Sequence, residues 1–190
     1  MFLEPQHKGK SSGWIEVICG SMFSGKTEEI IRRLRRAQIA GQRIEIFKPA
    51  VDARYHPEYI VAHNTETRIR SKPVDSSTSI LLLAGEAEVI GIDEAQFFDD
   101  GLPDVAETLA RKGMRVIISG LDMDFKGQSF GSIPQLLARA EHITKLHAIC
   151  AQCGGLASYS YRKTEQADTI LLGELDIYEA RCRSCFFKQS

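Results

Sequence analysis

Long hydrophobic runs, an excess of one charge and any secretory leader pattern are all missing from this 190-residue chain. No apolar stretch approaches the roughly 20 residues that a membrane-spanning helix needs, which argues against a membrane protein. Twenty-four basic residues stand against twenty-five acidic ones, for a formal net charge of −1. No bulk attraction therefore draws the chain to nucleic acid or to an anionic bilayer. Residues 1–13 are polar and contain no apolar core of a signal peptide, so a flexible tail on a cytoplasmic protein is expected. Internal repeats and low-complexity tracts are also absent, and the five histidines show no metal-ligand spacing among themselves. With 43% hydrophobic residues, enough for a packed core, the chain is expected to form one sizeable domain plus a small appendage.

What is present begins with Gly20-Ser21-Met22-Phe23-Ser24-Gly25-Lys26-Thr27. It fills every fixed position of the phosphate-loop pattern G-x-x-x-x-G-K-[ST]. Backbone N–H groups of such a loop surround phosphate oxygens, its lysine reaches the β- and γ-phosphates, and its hydroxyl can hold Mg²⁺. Ile15–Cys19 enters the loop as a strand would, and Glu28–Ala40 leaves it with Ile30, Leu34 and Ala37 on one helical face. The positive end of that helix points at the loop.

Further along, Arg43–Phe47, Val89–Ile92 and Arg115–Ser119 read as buried strands, and Ile80–Leu83 begins another element. A helix is expected from near Pro103 to Gly113 and a shorter one over Ile133–Ala140. Strands apolar on both faces and separated by helices imply a mostly parallel sheet with helices on both sides. The polar stretch Pro49–Ser79 is too long for a plain connector, so part of it is expected to serve a site. The basic run Arg32, Arg33, Arg35 and Arg36 reads as a solvated or subunit-contact face.

Asp93 ends an apolar strand, where phosphate-loop proteins place a Mg²⁺-organising carboxylate, and Glu94 follows it directly. Glu94 is suited to act as general base toward an incoming hydroxyl, while Lys26 offsets phosphoryl charge. Water could serve equally as nucleophile, and spacing alone does not separate a kinase from an ATPase. Near the C-terminus, Cys150-Ala151-Gln152-Cys153 and Cys182-Arg183-Ser184-Cys185 supply four thiolates. Their number and pairing favour a structural tetrahedral Zn²⁺ over a redox dithiol. Cys19, alone in an apolar strand, is expected to be inert.

The phosphate loop, Ile92-Asp93-Glu94-Ala95-Gln96-Phe97-Phe98, Leu121-Asp122-Met123-Asp124-Phe125 and the paired C-x-x-C motifs together resemble thymidine kinases of the zinc-containing (type II) bacterial and animal cytosolic family. The resemblance runs from about Trp14 to Phe187. It implies an α/β fold, a RecA-like phosphate-loop domain over 14–147, and a small zinc-binding lasso domain over 148–190. It also implies transfer of the γ-phosphate of ATP to the 5′-hydroxyl of thymidine or deoxyuridine, with Glu94 as catalytic base. The implied ATP and phosphate set is Gly20, Ser21, Met22, Phe23, Ser24, Gly25, Lys26, Thr27, Asp52, Arg54, Asp93 and Gln96, with Thr27 and Asp93 serving Mg²⁺. Met22, Phe97, Leu121, Phe125 and Phe130 would line the nucleoside pocket. Ser160, Thr169, Leu171 and Tyr178 would lie on the lasso, and Cys150, Cys153, Cys182 and Cys185 would hold Zn²⁺. A homotetramer inhibited by thymidine triphosphate, with no nucleic-acid or membrane partner, is implied as well. Two positions depart from the family pattern: Ser160 replaces a threonine, and Glu174 replaces the second glycine of a G-G-A-D-K-Y run.

The alternative from another class is a phosphate-loop ATPase whose zinc module contacts nucleic acid. Near-neutral charge and the lack of basic residues interleaved with aromatics in the cysteine segment weigh against it. A nucleotide switch without turnover is a third reading, opposed by the second carboxylate beside Asp93. Substituting Cys153→Ser is expected to release zinc and weaken nucleoside binding; zinc content unchanged by atomic absorption would exclude the four-thiolate site.

Overall fold

The computed structural model describes residues 13–52, 59–61, 68–164 and 177–188. The order along the chain is β1 (Trp14–Gly20), α1 (Lys26–Ile39), β2 (Ile44–Pro49), β3 (Tyr59–Val61), β4 (Arg68–Arg70), β5 (Lys72–Val74), α2 (Ser77–Leu83), β6 (Val89–Ile92), α3 (Leu102–Arg111), β7 (Arg115–Gly120), α4 (Ile133–Arg139) and β8 (His142–Leu146). The cysteine-bearing segment follows with β9 (Ala148–Ile149), β10 (Leu156–Ala157), β11 (Tyr159–Arg162), β12 (Tyr178–Arg181) and α5 (Arg183–Phe187).

Six strands form one sheet in the order β5-β2-β6-β7-β1-β8, and every pairing in it is parallel. Parallel strands need crossovers, and the crossover helices cover both faces, so the strands are apolar on both sides. In β1, Ile15, Val17 and Cys19 enter the cluster made with Leu102, Leu109, Ile133 and Leu136 of α3 and α4. Ile18 points the other way, to Ile30, Ile31 and Leu34 of α1. The small β3–β4 hairpin adds Ile60 and Ile69 to this second layer. The polar stretch after Pro49 thus contains the hairpin and the edge strand β5. Ile80–Leu83 belongs to a helix, α2, anchored by Asp99, which accepts from Ser77 N at 2.7 Å and Ser77 Oγ at 2.6 Å. β8, not foreseen as a strand, pairs beside β1 with Ile18 opposite Thr144. Among the described residues no helix is long and apolar enough to cross a membrane.

One position corrects the reading of the basic run on α1. Arg33 is fully buried, not solvated. Its Nη1 donates to Glu16 Oε2 at 2.8 Å, its Nε to Glu29 Oε1 at 2.8 Å and its Nη2 to Thr144 Oγ1 at 2.8 Å. Glu16 also accepts from Arg115 Nε at 2.7 Å and Trp14 Nε1 at 2.8 Å. The period of β1 sends Glu16 to the α1 face, where a carboxylate survives burial only with cations around it. Burial pushes the Glu16 carboxyl up, but the hydrogen bonds and charge of Arg115, with Trp14 and Arg33, outweigh it and hold the group below its ordinary 4.5.

A carboxyl depressed on folding stabilises the native state above its unfolded value and loses that contribution as the pH falls through its folded value. Glu16→Gln is therefore expected to cost about 3 kcal/mol or more at neutral pH, because two guanidiniums lose their buried counter-charge. Urea unfolding should show the gap from the parent narrowing as the pH falls below 4.5. A gap independent of pH would refute the charge argument.

Candidate active site at the C-terminal edge of the sheet

Parallel strands deliver their C-terminal ends to one edge, and the loops leaving β1, β6 and β7 meet there. The first is the phosphate loop. Gly20 has φ +145°, and a Cβ at this position would lie 2.3 Å from the Leu146 carbonyl, so only glycine lets the chain leave β1 beside β8. Ser24 Oγ and Lys26 Nζ both donate to the Ser21 carbonyl, at 2.7 and 2.8 Å, closing the loop on itself. Thr27 is the second residue of α1. Lys26 is buried, and desolvation lowers its pKa while Glu94, Asp93 and Asp122 oppose that fall. These three acids therefore favour the charged form of the lysine.

Asp93 follows β6, buried, with its N–H donating to Phe47 O at 3.0 Å and its carboxylate accepting from Ser119 Oγ. Glu94, half-buried, sits at φ 52°, a left-handed conformation costly for a residue with a Cβ. A 3-10 turn over Ala95–Phe97 follows. Within it Gln96 is buried, its Nε2 donating to Glu94 Oε2 and its Oε1 accepting from Leu121 N at 2.9 Å.

Asp122 was not singled out from the sequence. It is buried and pairs with Lys145 Nζ at 2.6 Å, while its Oδ1 has no hydrogen-bond partner among the described residues. The available signal was an acid just past the end of an apolar strand, as at Asp93, but here inside a loop rich in aromatics. Lys145 is held above its ordinary value by the hydrogen bond it donates to Asp122.

Around these groups stand the residues read as nucleoside-facing. Met22 N donates to Ser160 Oγ at 3.0 Å, so the phosphate loop and β11 touch. Phe97 and Phe130 meet edge to face, centroids 5.7 Å apart at 88°. Leu121 reaches Glu94 through Gln96. Phe125 and Tyr178 are joined by Arg162, which stacks 3.6 Å from the Phe125 centroid and donates to Tyr178 Oη at 2.8 and 3.1 Å. Arg162 gave no signal in the sequence, because its partners lie far away along the chain. Asp52 ends a 3-10 turn after β2. Arg54, Thr169, Leu171 and Glu174 lie outside the described residues.

Cys150, Cys153, Cys182 and Cys185 place their four Sγ atoms within 4.8 Å of one another. Tetrahedral Zn–S bonds of about 2.3 Å imply sulfurs about 3.8 Å apart. Cys153 and Cys182 stand at 3.6 Å, and Cys185 N donates to Cys182 Sγ at 3.4 Å, the type of support that ligating thiolates receive. Hydrogen bonding of the Cys185 S–H toward Cys182 and Cys153 keeps its proton on and pushes this thiol up. Backbone N–H groups of Cys182, Cys153 and Gln152 bring Cys150 down against its burial. Four thiols so close can all ionise only around a cation. Phe23 of the phosphate loop packs on this cluster with Ala148, Ala157 and Ala180.

Comparison with known proteins decides among the uses of such a site. The thymidine kinase family model matches residues 13–186. The chain belongs to the thymidine kinase family. A thymidine kinase of Bacteroides thetaiotaomicron is 60% identical over 176 residues, spanning 93% of this chain and 88% of that protein. One of Rhodothermus sp. is 59% identical over 178 residues, covering 94% and 83%. One of Porphyromonas gingivalis is 57% identical over 178 residues, covering 94% and 87%. Membership of this kinase family implies use of ATP.

The loop that carries Leu121, Phe125 and Phe130 ends at Gly131, φ +52°, where an added Cβ would lie 2.5 Å from the Gln96 carbonyl. Gly131→Ala is expected to lose roughly 1–3 kcal/mol, since both backbone strain and a backbone clash oppose it. The shift in urea midpoint measures this, and a variant as stable as the parent would show that the loop is not seated on Gln96.

Proposed function

We propose that this protein transfers the γ-phosphoryl group of ATP to the 5′-hydroxyl of thymidine or deoxyuridine, giving the monophosphate and ADP for nucleotide salvage. The observation that carries the reading is the Glu94 carboxylate. It stands at the end of β6, in the electrostatic reach of Lys26 and beside the aromatic loop, in a chain about 60% identical to thymidine kinases.

In this reading the nucleoside lies between Phe97, Phe130, Leu121 and Phe125, with Met22 and Ser160 at the phosphate-loop side and Tyr178, Thr169 and Leu171 on the lasso. Glu94 accepts the 5′-hydroxyl proton as the oxygen attacks the γ-phosphorus. A new P–O bond forms, the bond to the β–γ bridging oxygen breaks, and ADP departs with that electron pair. The loop N–H groups of Gly20, Ser21, Met22, Phe23, Ser24 and Gly25 and the Lys26 ammonium take up charge on the phosphoryl oxygens. Asp52 and Arg54 extend this phosphate-binding set. The Thr27 hydroxyl and Asp93 carboxylate are hard oxygen donors that would suit Mg²⁺, which would supply positive charge against the phosphates when bound. Closure of the lasso excludes water, so that Glu94 meets an alcohol and not a water molecule.

The four-thiolate geometry supports a structural Zn²⁺ over 148–190, beside a nucleotide-binding domain over 14–147. Family resemblance supports a cytoplasmic homotetramer with feedback inhibition by thymidine triphosphate. The nucleic-acid-stimulated ATPase is not favoured, because the family match spans both the phosphate loop and the cysteine module.

Glu94→Gln removes the base and leaves the phosphate cradle. Transfer of label from ATP to thymidine should fall by roughly 10²–10⁴-fold, with ATP affinity by calorimetry nearly unchanged. Turnover at the parental rate would overturn the role given to Glu94.

A further inference from the structure

Gln96 occupies an unusual place for a residue in a phosphate-binding segment. It is only 3% exposed, and both ends of its carboxamide are engaged within the protein. Leu121 N–H can only donate and an ionised Glu94 can only accept, so the carboxamide has one orientation that satisfies both. Oε1 faces Leu121 N at 2.9 Å and Nε2 faces Glu94 Oε2. The surroundings are cut to fit it. A Cβ at Gly120 would lie 2.8 Å from Gln96 Oε1, and one at Gly131 would meet the Gln96 carbonyl. Both ends of the 121–131 loop are therefore seated on this residue. Glu94 itself holds a left-handed backbone, so its direction depends on outside support.

We propose that Gln96 is a positioning residue that ties the nucleoside-facing loop to Glu94 and aims the base at the acceptor hydroxyl, in place of a direct phosphate contact. One Glu94 oxygen is held by the carboxamide and Oε1 is left for the 5′-hydroxyl. A nucleoside seated against Leu121 and Phe130 pulls on the same peptide N–H that orients Gln96, so acceptor binding and base alignment are coupled. This inference rests on Glu94 being the base.

A double-mutant cycle tests it on the full-length enzyme with labelled ATP and thymidine. Gln96→Leu should lower kcat about a hundredfold, the scale of a misaligned reacting group, with KM for ATP and thymidine within about threefold of the parent. In the Glu94→Gln background the same change should cost less than about threefold, because its target is gone. Gln96→Glu guards against loss of fold: it keeps an acceptor for Leu121 N and removes the donor to Glu94, and should lower kcat as Gln96→Leu does. An equal cost in both backgrounds, a parental kcat in Gln96→Glu, or a tenfold rise in KM for ATP with kcat kept would each overturn the proposal. If Glu94→Gln alone turns over at the parental rate, it is the reading of Glu94 that falls.

Discussion

A single buried carboxylate, Glu16, ties β1 to β7 and α1 and, through Arg33, to β8, and so constrains the helix that follows the phosphate loop. Arg33 reaches it from α1 and Arg115 from β7, while Arg33 also grips Thr144 of β8. The loop is the short connection between β1 and α1, so the helix must leave the strand at one fixed angle. Apolar packing of Ile30, Ile31 and Leu34 presses α1 onto the sheet but has little directional preference. Charge-assisted hydrogen bonds are directional, and a guanidinium fork admits few arrangements around a carboxylate. The ion cluster thus sets the helix over the strands while the hydrophobic contacts supply most of the attraction.

Above that anchor, the loops at the sheet edge restrain one another. The phosphate loop is held from β11 through Met22 and Ser160, and from the cysteine cluster through Phe23. The acidic segment after β6 is held from the 121–131 loop through Gln96. Each contact joins a loop at this edge to a segment distant along the chain. The thiolate module thus packs against the phosphate loop, and the aromatic loop is hydrogen-bonded through Gln96 to Glu94.

Much of this was legible along the chain. The phosphate loop, the strand before it and the helix after it are local, fixed by glycines, by apolar runs and by a 3.6-residue period. The C-x-x-C pairs announce themselves because metal ligands need fixed spacing within each turn. Strands buried on both faces implied the parallel sheet that is found. What misled was Arg33, read with its neighbours as a solvated face, since nothing in a run of arginines tells which one turns inward. β5 and β8 were missed for a related reason. Both are edge strands, only partly buried, so they lack the continuous apolar signal of the central ones. Asp122 and Arg162 are invisible to local patterns because their partners, Lys145 for one and Phe125 for the other, lie elsewhere along the chain.

By itself, then, the order of residues determined the chemistry on offer: a phosphate cradle, two adjacent carboxylates, four paired thiols and the family they belong to. These are short-range facts, written in spacing. Only the tertiary structure decided which groups share an environment: which arginines are buried with Glu16, which acids act on the charge of Lys26, and that Gln96 spans Glu94 and the aromatic loop. The reason is physical. Covalent spacing constrains neighbours over one or two turns, whereas burial and long-range hydrogen bonds arise only once the sheet has set its strand order and register.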